Sequence, residues 1–160
     1  MNDRFGAPAG AVFSRDRLYR YLLWRNWGRR GPLMLFLGLN PSTADEHSND
    51  PTIRRCIGFA RDHGARGMLV ANLYAFRATK PVDLFTVRDP VGVRNNFWIR
   101  MAHARAEVTV ACWGVHGARG DRARRVLATL GEVCCLGVSQ AGWPRHPLYL
   151  ARGTPLCPYA

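Results

Sequence analysis

Three short segments carry the side chains of this chain best suited to chemistry. In Gly38-Leu39-Asn40-Pro41-Ser42-Thr43, an apolar run (Leu33–Leu37) stops at a glycine and turns at Asn-Pro into a small polar loop. Asn72 lies inside a second apolar run, Val70-Ala71-Asn72-Leu73-Tyr74, near its carboxyl end. His146 sits between Arg145 and Pro147, in a loop stiffened by prolines. One buried amide supplies a donor and an acceptor together, so it can read the edge of a planar imide or amide such as a pyrimidine. A loop imidazole can donate a hydrogen bond to an oxyanion forming on a leaving group. Each residue also has a plainer reading: an ordinary strand-to-helix turn for the Asn-Pro loop, a backbone-satisfied Asn72, a surface His146. His47, His63, His103 and His116 show no ligand spacing and read as structural or exposed.

These residues need elements that bring them together. Short apolar runs bounded by turn signals predict strands buried on both faces at 33–37, 68–74, 108–112 and 133–137. Leu18 to Trp27 alternates aromatic and basic residues, as an edge or hairpin strand does. The stretch from Pro51 to Gly64 reads as a helix, with Asp50 as N-cap, Pro51 at the first helical position and Gly64 at the C-cap. Further helices are predicted from Gly92 to Ala106 and from Arg119 to Leu130. Strands alternating with helices imply parallel pairing and right-handed crossovers. The expected fold is a single α/β domain over residues 16–160, with three α/β/α layers and a mostly parallel four-stranded sheet. A flexible arm, residues 1–15, precedes it. In such a sheet the loops at the carboxyl ends of the strands share one edge. Asn40, Asn72, Trp113-Gly114 and the segment 142–148 therefore converge on one cleft.

Composition narrows the class. At 160 residues, 48% hydrophobic and 21% charged, the chain is globular and large enough for one core. Its apolar runs are too short for a membrane span and its start lacks a signal-peptide pattern, so a cytoplasmic protein is expected. The odd cysteine count and the lack of any C-x-x-C pair predict reduced thiols and neither zinc nor an iron–sulfur cluster. Lysine and arginine total 23 against 11 acids, giving +12, with Lys80 the only lysine. That balance favours a polyanionic partner, most simply nucleic acid, and arginine both chelates phosphate and stacks on bases. The plainer alternative is a solvated basic surface reflecting genomic base composition.

Taken together the blocks resemble the uracil-DNA glycosylase superfamily. Gly38-Leu39-Asn40-Pro41 is similar to its water-positioning motif, Val70-Ala71-Asn72-Leu73 to its base-reading strand, and His146-Pro147 to its second catalytic motif. At closer range Gly38–Ala44, Asp50–Cys56, Asn72–Thr79 and Pro144–Leu150 resemble the family called domain of unknown function 1643. The superfamily resemblance implies a base flipped from DNA and excised without metal or organic cofactor, a DNA-repair chemistry. Asn40 would position the attacking water, His146 would stabilise the departing base and Asn72 would read its edge. Gly38, Leu39, Pro41, Ser42 and Trp113 would line the site, Arg77 and Arg145 would hold phosphates, and Pro147 would stiffen the His loop. Tyr74 is the nearest counterpart of the residue that stacks on the base. Leu148, standing where the family has a small residue, would wedge into the duplex.

The chain departs from that pattern at Asn40, where the most active members carry an acid; an amide cannot accept a proton from water. Asp45, Glu46 and Asp50 are also unusual for that cleft, and Asp50 reads first as a helix cap. Two other functions stay open: a non-catalytic module recognising a modified base, and a hydrolase of free nucleosides or nucleotides. A monomer without metal is expected.

Overall fold

The computed structural model describes residues 4–160. Its strands are β1 (Ala9–Phe13), β2 (Arg20–Asn26), β3 (Leu33–Gly38), β4 (Gly67–Asn72), β5 (Val108–Ala111), β6 (Cys134–Cys135) and β7 (Cys157–Pro158). The helices are α1 (Pro51–Asp62), α2 (Asn95–Arg105) and α3 (Arg122–Leu127), with short 3-10 turns between them. All strands join one sheet in the order β1-β2-β4-β3-β5-β6-β7. The fold is α/β, but the sheet is seven-stranded and mixed, not four-stranded. The parallel strands β4, β3, β5 and β6 form its middle, and β1, β2 and β7 extend it antiparallel at the two edges.

The β1 strand corrects the expected loose arm. Residues 9–13 pair with β2, and Asn26 N donates to Pro8 O at 2.7 Å. Phe5 packs edge-on against Trp24 at 5.1 Å, so aromatic contact holds the segment down. Residues 1–3 of that arm lie outside the described residues. Other boundaries shift too. Only Cys134–Cys135 of the fourth parallel strand is ladder-bonded, and α3 is six residues long.

Strand alternation places the core on both faces of the sheet. Met34 and Phe36 of β3, with Met68 and Val70 of β4, pack against Ile53, Cys56, Phe59 and Ala60 of α1. Leu35 and Leu37, with Leu69 and Ala71, face Trp98, Ile99 and Ala102 of α2 and Ala123 and Val126 of α3. The α1 helix begins where the sequence says it should. Asp50 Oδ1 accepts the Ile53 N–H at 2.9 Å and Pro51 opens the first turn. Helices on both faces leave the carboxyl ends of β3, β4, β5 and β6 open at one edge, above which the loops gather.

Candidate functional site

The loop after β3 carries Asn40. Its Nδ2 donates to Ala78 O at 2.7 Å and to Pro41 O at 3.0 Å, which ties it to the segment after β4. Beyond it, residues 42–50 have no regular structure of their own and are held by arginines. Arg20, in β2, donates from Nη1 to Ala44 O at 2.9 Å, and Asp50 Oδ2 accepts the Ala44 N–H at 3.3 Å. The N–H and the carbonyl of one residue are thus both held. Arg25 donates to Asp45 O at 2.7 Å, Ser48 O at 3.1 Å and Asn49 Oδ1 at 2.9 Å. Arg77 Nε reaches Ser42 O at 3.3 Å, and Arg17 chelates Glu46 at 2.8 and 2.9 Å. Burial pushes the Arg20 guanidinium down to about 10, partly offset by the charge of Asp50. The Arg17 pairing pulls Glu46 down to about 2.

At the end of β4, Asn72 is 5% exposed and its Oδ1 has no hydrogen-bond partner. Its main-chain carbonyl is held by Asn95 Nδ2 at 2.9 Å, and the same nitrogen donates to Leu73 O at 3.0 Å. Asn95, wholly buried on α2, therefore fixes the backbone that presents Asn72. The Oδ1 of Asn95 is buried without a partner as well.

After β5 the chain passes Trp113, 1% exposed, to Gly114 at φ +70° and ψ −169°. That backbone region is open essentially to glycine alone. It lets Gly114 N donate to Pro144 O at 2.9 Å, stitching the β5 loop to the His146 loop. His146 then opens a 3-10 turn, Pro147–Tyr149, and its Nδ1 accepts the Leu148 N–H at 3.2 Å. With Nδ1 an acceptor, the neutral imidazole carries its proton on Nε2. Burial lowers the His146 pKa, the charge of Asp50 opposing. Arg55 of α1 fastens this turn from below by donating to Pro147 O and Leu150 O.

These loops enclose one cavity of about 640 Å³, within the range of small-ligand sites. Asn40 and His146 line it from two loops and Asn72 from the end of β4. The profile of the family described as Protein of unknown function (DUF1643) matches residues 20–148, most of the chain. The chain belongs to that family. Comparison with curated proteins and with solved structures gives no match.

In this DUF1643 protein the cavity also takes Gly38, Leu39, Ser42, Trp113, Arg145 and Leu148 into its wall. The remaining sequence candidates lie elsewhere. Tyr74 is buried on the α2 face of the sheet, edge-on to Phe85 at 5.9 Å, because its side chain falls on the opposite side of the chain from the cavity. Arg77 is spent on Ser42 O and Arg17 O, with its guanidinium 4.9 Å from the Phe13 ring centre. Pro41 and Pro147 shape their turns without lining the cavity. Asp45 caps the His47 and Ser48 N–H groups and Glu46 pairs with Arg17, so neither acid enters the cavity. Asp50 both caps α1 and lines the wall.

Several wall residues escaped the sequence reading. Arg20 is 3% exposed, a charge within an apolar strand, and that position was its signal as it was for Asn72. Tyr149 and His116 also line the cavity, and no local pattern distinguishes them. The five cysteines are free thiols, with Cys135 Sγ and Cys157 Sγ 3.4 Å apart across β6 and β7. Among the described residues no cluster of three or more His, Cys, Asp or Glu side chains could hold a metal ion. No described helix is long and apolar enough to cross a membrane.

Proposed function

We propose that the cavity takes a nucleobase extruded from DNA and hydrolyses its N-glycosidic bond. The observation that carries this reading is the convergence of Asn40, Asn72 and His146, from three separate segments of the chain, on one cavity. A nucleobase edge offers donors and acceptors side by side for an amide such as that of Asn72, at a depth where an unmet hydrogen bond is costly. Resemblance to the uracil-DNA glycosylase superfamily supports the same reading. The helix-covered sheet is read as a variant of that superfamily's three-layer fold with added edge strands.

The chemistry follows from what each group can do. The bond from the sugar C1′ to the base nitrogen breaks and its electron pair leaves with the base, leaving an oxocarbenium-like sugar. His146, neutral with the proton on Nε2, donates a hydrogen bond to the forming base anion without giving up that proton. Asn40 is fixed through Nδ2, so its Oδ1 is left to accept from a water and aim it at C1′. The water adds to the cation and releases its proton to solvent; an amide has no need to act as base in this order of events. Low dielectric in the cavity strengthens each interaction. The basic surface would draw in DNA, and Arg145, exposed at the rim, is the best placed of the candidate phosphate contacts.

The test is incubation of the protein with single- and double-stranded oligonucleotides carrying uracil, hypoxanthine, xanthine or modified pyrimidines, followed by alkaline cleavage at abasic sites. Release of one base, lost in Asn40→Ala, supports the hydrolase. Tight binding of one modified oligonucleotide with no base released from any would replace it with a recognition module. Saturation by mononucleotides with indifference to oligomers would replace it with a nucleotide hydrolase.

A further inference from the structure

A second, smaller groove opens beside the cavity and shares its wall. It has a volume of about 430 Å³ and lies between two 3-10 turns, Pro81–Thr86 and Val115–Ala118. Pro81, Val115 and His116 border both spaces, so the groove continues the cavity sideways. Its lining is apolar and open to solvent: Val82 is 62% exposed and Val115 58%. Apolar side chains exposed side by side at the edge of a ligand cavity mark a contact surface.

One wall of the groove is built for a flat ring. The Arg119 guanidinium lies over the Phe85 ring, 3.7 Å from its centre, and Phe85 is braced from behind by Tyr74. Arg119 is itself exposed. A planar cation backed by an aromatic ring stacks well on a nucleobase, whichever base it is. An acidic peptide would use the charge of Arg119 but leave the valines uncovered; an apolar peptide would do the reverse.

Resting on the nucleobase reading of the main cavity, we propose that this groove is a second nucleobase subsite. It takes the base next along the strand from the one in the cavity and stacks it on Arg119 between Val82 and Val115. Two successive bases cannot both occupy these spaces while stacked in a duplex. The substrate is therefore single-stranded, or unpaired over two nucleotides.

The test measures binding of every DNA dinucleotide, with uracil-containing versions added, against the same dinucleotides lacking the base on one side or the other. The subsite predicts that some dinucleotide binds about tenfold more tightly than either of its one-base versions, the order of a single base–platform stack. Arg119→Ala should bring that dinucleotide down to the level of the one-base version, and Asn72→Ala should weaken every version. Dinucleotides no tighter than their one-base versions, with Asn72→Ala still weakening all, would overturn the subsite and leave the cavity reading standing. Arg119→Ala weakening one-base and two-base probes alike would reduce Arg119 to a general charge and overturn the subsite too. Binding indifferent to Asn72→Ala, or absent throughout, would overturn both.

Discussion

Gly38 and Asn72 face each other as register partners across β3 and β4, and the missing side chain of one makes room for the amide of the other. A Cβ on Gly38 would stand 2.9 Å from Asn72 Nδ2. A side chain cannot be added at Gly38 without moving the Asn72 amide. Gly38→Ala should therefore displace the Asn72 amide while keeping the sheet. We expect a loss of about 1–3 kcal/mol in unfolding free energy, as overpacking usually costs. Affinity for any ligand of the cavity should drop along with it. Chemical denaturation with a parallel binding titration checks both.

His146 gives a pH dependence with a definite sign. Its pKa is lowered in the folded chain by burial, and so is that of His103, whose Nδ1 and Nε2 meet Thr109 Oγ1 and the Gly131 N–H. The unfolded chain therefore takes up these protons first as pH falls. The stability they contribute is whole above the ordinary histidine value and is lost as pH drops through it toward the folded values. Protonation of His146 at Nδ1 would also break the bond from Leu148 N. Imidazole NMR should show both residues titrating below the usual histidine range, and Asp50→Asn should push His146 lower still.

The loop that follows Asn40 depends on buried arginine rather than on secondary structure. Arg20→Ala would strip the buried Ala44 carbonyl of its partner and remove one of the two guanidinium groups, Arg20 and Arg25, that feel the charge of Asp50. A loss of about 1–3 kcal/mol is expected, the cost of leaving a buried acceptor unpaired. Arg17→Ala, which breaks a solvent-screened pair at the surface, should cost distinctly less. Urea denaturation of the two variants distinguishes them, and equal losses would contradict the loop account.

Arg145 and Arg77 should separate in the same way. Arg145 is exposed at the cavity rim, so Arg145→Ala should weaken DNA binding and reduce the salt slope by about 1. Arg77 is held by Ser42 O and Arg17 O, so Arg77→Ala should lower stability with the salt slope unchanged. Affinity measured across a salt series, beside a melting curve, decides between them.

The parts of this protein legible in its sequence are those set by local chemistry. The two-sided apolar runs announced β3, β4 and β5, and Asp50-Pro51 announced the start of α1. Polar residues breaking apolar strands, or following them, pointed to Asn40 and Asn72. What remained hidden depends on contacts distant along the chain. The β1 strand exists because Phe5 and Asn26 secure it to β2, and nothing within residues 9–13 says so. Arg77 looked like a phosphate ligand, as any loop arginine does, until the carbonyls of Ser42 and Arg17 were found beside it. Tyr74 was misplaced by one step of the alternation: two residues beyond Asn72, the chain has left the ladder and its side chain turns to the other face of the sheet.

The most direct measurement is the single-turnover rate of base release by wild type, Asn40→Ala and His146→Ala on whichever modified oligonucleotide the wild type cleaves fastest. The account predicts that both variants keep the fold and still bind the oligonucleotide, while base release falls by at least about a hundredfold, the scale of one lost transition-state contact. Release at the wild-type rate in both variants, or no release by wild type from any oligonucleotide it binds, would contradict it.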